Sequence, residues 1–359
     1  MQSSRRDFLK QAAVGSAALV APGYAQVQAQ TSRPKSQNVL PRWRGFNLLD
    51  MFTMRSKGDF SEDDFRWIRD FGFDFVRFPA VYRLWIEDGD DYKIHEPMLA
   101  KLDRGIELAN KYGLHASLNF HRGPGYSVNR EFKEPHSLWK DQSALDAFCF
   151  HWQLMAKRYK GISKDKLSFD LINEPPSPGG QMSRADHERV VRATVKAIRQ
   201  VNPDRTILID GLSWGRETVP EVADLKIGQS TRAYDPMFIS HSGASWVNHG
   251  NYPDPAWPGH DWNRKRLEQH YQKWVDLAKM DVGVHCGEGG AYNKTPHSVA
   301  LAWFRDALEI LTEHGIGLAL WNFRGSFGIM DSGRQDVDYE DFHGHKLDRK
   351  LLSLLQEFA

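Results

Sequence analysis

Short apolar runs alternate with amphipathic segments along most of this 359-residue sequence, and this alternation restricts the fold more than any other feature. Short apolar runs bounded by turn residues are typical of buried strands, whereas apolar residues three and four positions apart indicate helices. Strands are predicted at residues 45–48, 75–78, 116–120, 167–172, 207–209, 227–231, 282–285 and 317–321. Helices are predicted between them at 61–71, 97–112, 143–159, 184–201, 264–279 and 296–314, with a weaker pattern at 217–222. This order favours a parallel sheet with helices between its strands.

Two architectures share that order, a closed barrel and an open doubly wound sheet. The sequence has no Gly-x-Gly-x-x-Gly after its first strand and no phosphate loop, which weakens a nucleotide-binding open sheet. A single barrel typically takes about 200 to more than 400 residues. We therefore predict one (β/α)8 barrel, a TIM barrel, over residues 40–359, with enlarged loops on the C-terminal face.

The N-terminus has the pattern of an export signal. Residues 4–10 read Ser-Arg-Arg-Asp-Phe-Leu-Lys, and an apolar stretch at 12–20 and several small residues follow. This pattern predicts a twin-arginine signal peptide over residues 1–29, a flexible lead-in over 30–39, and a periplasmic or extracellular protein. Because no other apolar stretch approaches the roughly 18 residues of a spanning helix, no stable membrane insertion is expected.

Charge and cysteine content exclude several classes of partner. The 47 Lys and Arg residues nearly balance the 46 Asp and Glu residues and form no basic block, so no nucleic-acid partner is expected. Cys149 and Cys286 have no neighbours at metal-ligand spacing, so no metal site is expected at them. Whether the two cysteines form a bridge, and what the oligomeric state is, the sequence leaves open.

Polar residues stand where the predicted strands end, which is the face that carries the active site in barrel enzymes. They are Asn47, Arg77, Asn119 with His121, Asn173 with Glu174, Arg232 with Tyr234, Glu288, and Trp321. Glu174 and Glu288 follow strands four and seven, nearly opposite each other in an eight-strand ring. Because glycoside hydrolysis uses two carboxylates that flank the scissile bond, this pair predicts a glycoside hydrolase with a carbohydrate substrate.

The sequence Leu-Ile-Asn-Glu-Pro at 171–175 resembles the strand-four signature of glycoside hydrolase family 5, the cellulase-like retaining barrel hydrolases. The resemblance covers nearly all of residues 40–359. The other positions that match the family pattern are Arg77, His121, Tyr234 with the loop that carries His241 and Trp246, Glu288 in Gly-Glu-Gly-Gly, and Trp321. Among these, Trp321 looks like the tryptophan on which the sugar rests in this family.

The resemblance implies a role for each matched residue. Glu288 would attack the sugar and form a glycosyl-enzyme, while Glu174 would protonate the leaving group and then deprotonate the incoming water. Arg77 and Tyr234 would keep Glu288 ionised and oriented, since a cation and a hydrogen bond both favour the carboxylate. Asn173 would bond the sugar 2-hydroxyl, and no cofactor is implied.

One position departs from the family pattern. Family members usually carry a His two residues before the strand-six tyrosine, and this chain has Arg232 there. An arginine cannot relay protons as a histidine can. If Arg232 faces the site, it would lower the pKa of Glu174, or it would bind an acidic or differently shaped sugar. The usual cellulose-type substrate is therefore left open.

Tryptophans that follow strands are further candidates for sugar platforms, whereas tryptophans within helical patterns are expected in the core. The candidates are Trp85, Trp214, Trp246 and Trp257.

The first functional hypothesis is an endoglucanase-like hydrolase of β-linked polysaccharide or oligosaccharide. The alternatives are an exo-acting glycosidase or furanosidase, a mannanase on the same scaffold, and a non-hydrolytic carbohydrate-binding or transglycosylating relative. An open groove would favour cleavage within a chain, and a closed pocket would favour removal of a terminal sugar.

Overall fold

Eight parallel strands close into a barrel in the computed structural model, which describes residues 38–128, 132–247 and 252–358. Each strand pairs with its neighbours in chain order, and the first strand also pairs with the last, which closes the ring. The strands are β1 Gly45–Asn47, β2 Phe75–Val81, β3 His115–Gly123, β4 Leu167–Asp170, β5 Thr206–Asp210, β6 Gly228–Ala233, β7 Val284–Gly289 and β8 Gly317–Leu320. The predicted (β/α)8 barrel is confirmed.

Amphipathic helices pack around the barrel between its strands. They are α1 Glu62–Asp70, α2 Glu96–Lys111, α3 Gln142–Arg158, α4 Arg184–Val201, α5 Arg264–Ala278, α6 His297–Glu313 and α7 Arg349–Glu357. The six main helices predicted from the sequence match α1 to α6 to within one residue at each end. The strong 3.6-residue periodicity of their buried faces explains this agreement.

The connection after β5 differs from the prediction. In place of a helix at 217–222, it has a helical turn at Leu212–Gly215 and a 3₁₀ helix at Pro220–Leu225. Pro220 supplies no backbone N–H and therefore suits the first position of that helix. The short hairpins within 86–94 and 340–347 were not predicted, because strands of two to five residues carry too little periodicity. Helix α7 was also not predicted, although its buried leucines have helical spacing.

The strand ends also differ from the prediction where they matter most. Strand β4 ends at Asp170 and not at residue 172, so Glu174 lies on the loop beyond the sheet. Strands β6 and β7 continue through Arg232 and Glu288. The register of β7 shifts between Cys286 and Glu288, which is a bulge. Such a bulge changes the direction of the side chains that follow it.

The barrel interior holds two layers of side chains. The lower layer, at the N-terminal end, is Trp43, Phe75, His115, Leu208 and His285. The upper layer, at the C-terminal end, is Arg77, Asp170, Asp210, Arg232 and Glu288. Inward-facing residues of alternate strands form such layers in these barrels. The two layers therefore place charged groups at the C-terminal end of the strands.

The predicted signal peptide over 1–29 and most of the lead-in over 30–39 lie outside the described residues, and both stay predictions. At residue 38 the chain already contacts the barrel, because the Asn38 side chain donates to the carbonyls of Val284 and Gly315 at 2.8 and 2.9 Å. None of the helices within 38–358, the gaps excepted, is both long and apolar enough to cross a membrane. Cys149 and Cys286 are both free thiols, so they form no bridge.

Candidate active site

Glu288 is a buried carboxylate at the upper end of the barrel. Its Oε1 accepts a hydrogen bond from Arg77 Nη1 at 2.7 Å, and its Oε2 accepts one from the Tyr234 hydroxyl at 3.1 Å. Arg232 Nη2 lies 3.3 Å from the same Oε1. Two guanidinium groups and a hydroxyl therefore surround this buried carboxyl group and fix its orientation.

Arg77 connects several strands through one guanidinium. It donates to Asp170, Asn47, Glu288 and Asn173 at distances between 2.7 and 3.0 Å. Arginine suits this position because its planar fork presents five donors in fixed directions. Arg77 thus fixes the geometry of β1, β2, β4 and β7 at the point where they open into the site.

Tyr234 is held from behind by the loop that follows β6. Its carbonyl accepts a hydrogen bond from the Ser240 hydroxyl, and the His241 ring packs edge-on to the Tyr234 ring at 5.0 Å. Burial, together with the charge of Glu288, raises the pKa of Tyr234 well above its ordinary value, so the hydroxyl keeps its proton and donates a hydrogen bond to Glu288. His241 is buried, and burial with nearby Arg216 lowers its pKa to about 4. His241 therefore supports Tyr234 as a neutral ring.

Glu174 differs from Glu288 in exposure and in charge. Its side chain is 18% exposed, and it accepts from Arg232 Nε at 3.1 Å. Its backbone has a φ of 49°, a left-handed conformation that is uncommon outside glycine. Burial, the charge of Glu288 and that of Asp210 together outweigh Arg232 and raise the pKa of Glu174 to about 7. A carboxyl group with such a pKa can hold a proton near neutral pH.

Arg232 lies between the two glutamates, and its surroundings answer one question that the sequence left open. The guanidinium donates to Asp210 through two nitrogens and to Asn173 Oδ1 at 3.0 Å. Its side chain is 1% exposed. Every nitrogen therefore faces a protein acceptor, which argues against the binding of an acidic sugar by Arg232.

Asn173, His121 and Trp321 form the wall beside the glutamates. Asn173 Oδ1 accepts from Arg77 and from Arg232, both at 3.0 Å, and its Nδ2 lies 3.4 Å from His121 Nε2. Burial and the nearby Arg122 lower the pKa of His121 well below 6.5, so the ring is neutral. The rings of His121 and Trp321 lie 5.5 Å apart. Asn173 therefore has only its amide N–H groups to offer a substrate hydroxyl.

The four candidate tryptophans fall into two groups. Trp246 is 58% exposed and Trp214 is 41% exposed, both on loops of the C-terminal face. Trp85 is fully buried and donates to His151, so its prediction as a sugar platform is wrong. The indole N–H of Trp257 bonds Asp306 on α6, outside the barrel.

Two buried carboxylates of the upper layer were missed by sequence reasoning. Asp170 ends β4 and bonds Arg77, and Asp210 ends β5 and bonds Arg232. Burial and the charge of Asp210 raise the pKa of Asp170 to about 7. The signal was present, since an acidic residue inside an apolar strand run needs a buried partner. Among the residues described, no group of three or more His, Cys, Asp or Glu side chains is arranged to hold a metal ion.

Comparison with known proteins identifies relatives of the whole barrel. The sequence matches the family model for cellulase (glycosyl hydrolase family 5) over residues 33–326. Endoglucanase C of Acetivibrio thermocellus is 25% identical over 334 residues, which cover 82% of this chain and 95% of that protein. Cellodextrinase A of Ruminococcus flavefaciens is 27% identical over 270 residues, which cover 71% of this chain and 76% of that protein.

A solved structure supports the same family. A crystal structure of a glycoside hydrolase superimposes with a TM-score of 0.84 and 40% sequence identity, over 88% of this chain and 99% of the other. The family model spans most of the chain, and the family resemblance seen in the sequence is confirmed. This protein therefore belongs to glycosyl hydrolase family 5 and is a retaining glycoside hydrolase.

Proposed function

We propose that this protein cleaves internal bonds of a β-linked glucan by double displacement, with Glu288 as the nucleophile and Glu174 as the acid/base. The observation that carries the proposal is the contrast between the two carboxyl groups. Glu288 is buried and accepts hydrogen bonds from Arg77 and Tyr234, whereas Glu174 is partly exposed and its pKa is raised to about 7. Two titratable groups with such different surroundings suit one nucleophile and one proton donor.

In the first step, a Glu288 oxygen attacks the anomeric carbon and the glycosidic C–O bond breaks. The electron pair of that bond moves to the leaving oxygen, which takes the proton of Glu174. Asn173 donates from its amide to the sugar 2-hydroxyl, because its carbonyl oxygen is already occupied by Arg77 and Arg232. Such a bond strengthens in the transition state.

In the second step, ionised Glu174 removes a proton from water, and the water oxygen attacks the anomeric carbon of the glycosyl-enzyme. The bond to Glu288 breaks, and the carboxylate returns to its contacts with Arg77 and Tyr234. Inversion at each of two steps leaves the anomeric configuration unchanged.

Cleavage within a chain is supported by indoles that lie beyond the carboxyl pair. The Trp214 backbone N–H bonds Pro175 at 3.0 Å, which places this residue beside Glu174. Trp246 packs edge-on to Tyr292 at 4.8 Å and lies 6.1 Å from His241, on the side of Glu288. Exposed rings on both sides suit several sugar units, and the two relatives in the comparison are named endoglucanase and cellodextrinase.

Initial rates of the mature protein on β-glucan, mannan, xylan and aryl glycosides test the proposal. We expect the viscosity of soluble β-glucan to fall before reducing ends accumulate, and Glu174→Gln and Glu288→Gln each to lose at least about a hundredfold in rate. A preference for mannan or xylan would contradict β-glucan as the proposed substrate. Release of terminal units alone would contradict cleavage within the chain. Transfer to sugar acceptors in place of water would identify a transglycosylase.

Azide separates the two roles of the carboxylates. With an activated aryl glycoside, Glu174→Ala should yield the β-glycosyl azide, whereas Glu288→Ala should yield the α-glycosyl azide. Glu217→Gln is the matched control, because Glu217 lies on the loop after β5, is half-exposed and pairs with Arg184 at 3.2 Å. If both alanine variants gave the same azide, the assigned roles would be wrong.

We also propose that residues 1–29 direct export by the twin-arginine route, to the periplasm or the exterior, which the pattern at residues 4–10 supports. N-terminal sequencing of the exported protein should show a chain that begins after residue 29. Export should be lost in an Arg5→Lys/Arg6→Lys variant. Unchanged export of that variant would contradict it.

A further inference from the structure

Asp210 contacts both the backbone and the charge partner of Glu174. It is the last residue of β5 and is fully buried. Its Oδ2 accepts from the Glu174 backbone N–H at 2.9 Å and also from Arg232 Nη2. Its Oδ1 accepts from Arg232 Nη1 at 3.0 Å. Asp210 therefore binds the peptide and the guanidinium that both determine where Glu174 sits.

The backbone contact bears on a strained residue. The φ of 49° at Glu174 is unfavourable for a residue with a side chain, and such conformations persist only where neighbouring groups hold them. Asp210 holds the N–H of Glu174, and the Tyr126 hydroxyl donates to the carbonyl of Glu174 at 2.6 Å. The two contacts fix the peptide planes on either side of Glu174 and so aim its carboxyl group.

The contact between Asp210 and Arg232 affects the protonation of Glu174. A bare guanidinium 3.1 Å from the Glu174 carboxyl group would favour the anion, and an anion cannot protonate a leaving group. Asp210 binds the two other nitrogens of Arg232, so the Asp210–Arg232 pair carries no net charge. Glu174 thus keeps a hydrogen-bond donor at Nε without the full effect of a cation.

We propose that Asp210 is a positioning residue for Glu174, which it serves by holding the left-handed backbone and by balancing the charge of Arg232. The proposal rests on the proposed role of Glu174 as acid/base. It also explains how the site accommodates Arg232 in place of the usual histidine. An arginine can replace the usual histidine in this chain because an aspartate at the end of β5 accompanies it.

The other charged and titratable groups around the pair are few. Those that act on Glu174 besides Asp210 are Glu288 and Arg232, with the hydroxyl groups of Tyr126 and Tyr234 nearby. Those that interact with Asp210 besides Glu174 are Arg77 at 3.7 Å, Arg232, Asp170, Tyr126, His285 and Cys286. Asp210 raises the pKa of Glu174 and Arg232 lowers it, so the loss of either partner moves that pKa in a known direction.

The pH dependence of kcat/KM tests the charge contact. Asp210→Asn keeps an acceptor for the Glu174 N–H but loses the charge, so the basic limb should move about one pH unit lower. Arg232→Gln should move the same limb higher. The double variant, which removes both charges, should bring the limb back to within about half a unit of wild type. If one single variant fails to fold, the remaining single and double variants still give the test.

The leaving group supplies a second readout. At pH 7, Asp210→Asn should lose at least about tenfold on β-glucan and clearly less on a dinitrophenyl glycoside, whose departure needs no proton. Asp170→Asn is the matched control, because it removes the other buried aspartate, which bonds Arg77 and not Arg232. It should lower the rate without moving the basic limb.

A folded Asp210→Asn protein with an unmoved basic limb, or with equal losses on both substrates, would overturn the proposal. Full activity of Glu174→Gln on β-glucan would instead overturn the role of Glu174 itself. The two failures are therefore distinguishable.

Discussion

The lower and upper layers of the barrel bury polar groups in opposite ways. In the lower layer, burial lowers the pKa of His115 to about 4 and that of His285 to about 3, so both rings stay neutral among aromatic side chains. In the upper layer, Arg77 and Arg232 stay charged because carboxylates surround them. A histidine escapes the cost of burial by losing its proton, whereas an arginine cannot.

Between these two layers, buried charges, which are energetically unfavourable, are therefore confined to the one that adjoins the candidate active site. The neutral lower layer behaves as ordinary core, in which Trp43 stacks on His115 at 3.9 Å. The charged layer is stable only as a complete set, because a buried charge without its partner is strongly unfavourable. Substitutions in the two layers should therefore have different consequences for activity and for stability.

The largest effect is expected for Arg77→Met. Methionine fills similar space but leaves Asp170 and Glu288 without their shared cation. The free energy of unfolding should fall by about 3–5 kcal/mol, and kcat should fall by a factor of about 10²–10³. Urea denaturation and initial rates measure the two losses. Arg77→Lys keeps the positive charge but lacks the planar guanidinium, so it should restore more of the stability than of the rate. An active and stable Arg77→Met protein would show that the upper layer does not need all of its charged groups.

A smaller effect is expected from adding one methyl group to each layer. A Cβ at Gly287 would lie 2.6 Å from Ser230 Oγ and 3.2 Å from Arg232 Nη1, whereas a Cβ at Gly317 would lie 2.0 Å from the Trp43 carbonyl. Gly287→Ala should lose about 1–3 kcal/mol in stability, and Gly317→Ala should lose more, because backbone atoms cannot move aside as the end of a side chain can. Only Gly287→Ala should also lower kcat of the folded protein, by roughly tenfold. Thermal denaturation measures the stability, and initial rates are compared at temperatures where both variants are equally folded. Equal kcat values for the two variants would contradict the predicted difference between the two layers.

The smallest effect concerns acid stability. His285 has no hydrogen-bond partner among the described residues, whereas His115 bonds Asp165 and Ser168, both at 2.9 Å. Below its ordinary pKa of 6.5, His285 takes up a proton in the unfolded chain but not in the folded one, until its folded pKa of about 3 is reached. The free energy of unfolding therefore decreases as the pH drops from about 6.5 towards 3. At pH 5 this one group accounts for a loss of roughly 2 kcal/mol.

His285→Leu should remove that share of the loss between pH 7 and pH 5 while changing stability little at pH 7. His115→Leu is the matched comparison, because the pKa of His115 is also lowered, to about 4, and its removal should reduce the acid loss in the same way. The two variants should differ at pH 7, where His115→Leu should cost about 1–3 kcal/mol through its two lost hydrogen bonds. Chemical denaturation at the two pH values measures both variants. The same acid sensitivity in His285→Leu as in wild type would show that this ring is not the neutral group described.

Much of this fold was predictable from local pattern. The six main helices were placed to within one residue because each has a continuous apolar stripe, and the eight strands were found because each is an apolar run. The candidate carboxylates were also predictable, since barrel chemistry sits where strands end. Trp85 shows the limit of that rule, because a position after a strand does not say whether the side chain faces the site or the core.

The sequence by itself determined the barrel, the order of its elements and the two glutamates, because periodicity and strand-end position are properties of neighbouring residues. Only the tertiary structure decided that Asp210 accompanies Arg232, since those residues come from different strands. It also decided the bulge in β7: alternation would turn Gly287 inward and Glu288 outward, yet both face the interior. Pairing of side chains across a closed ring depends on register and on burial, and neither can be deduced from one strand alone.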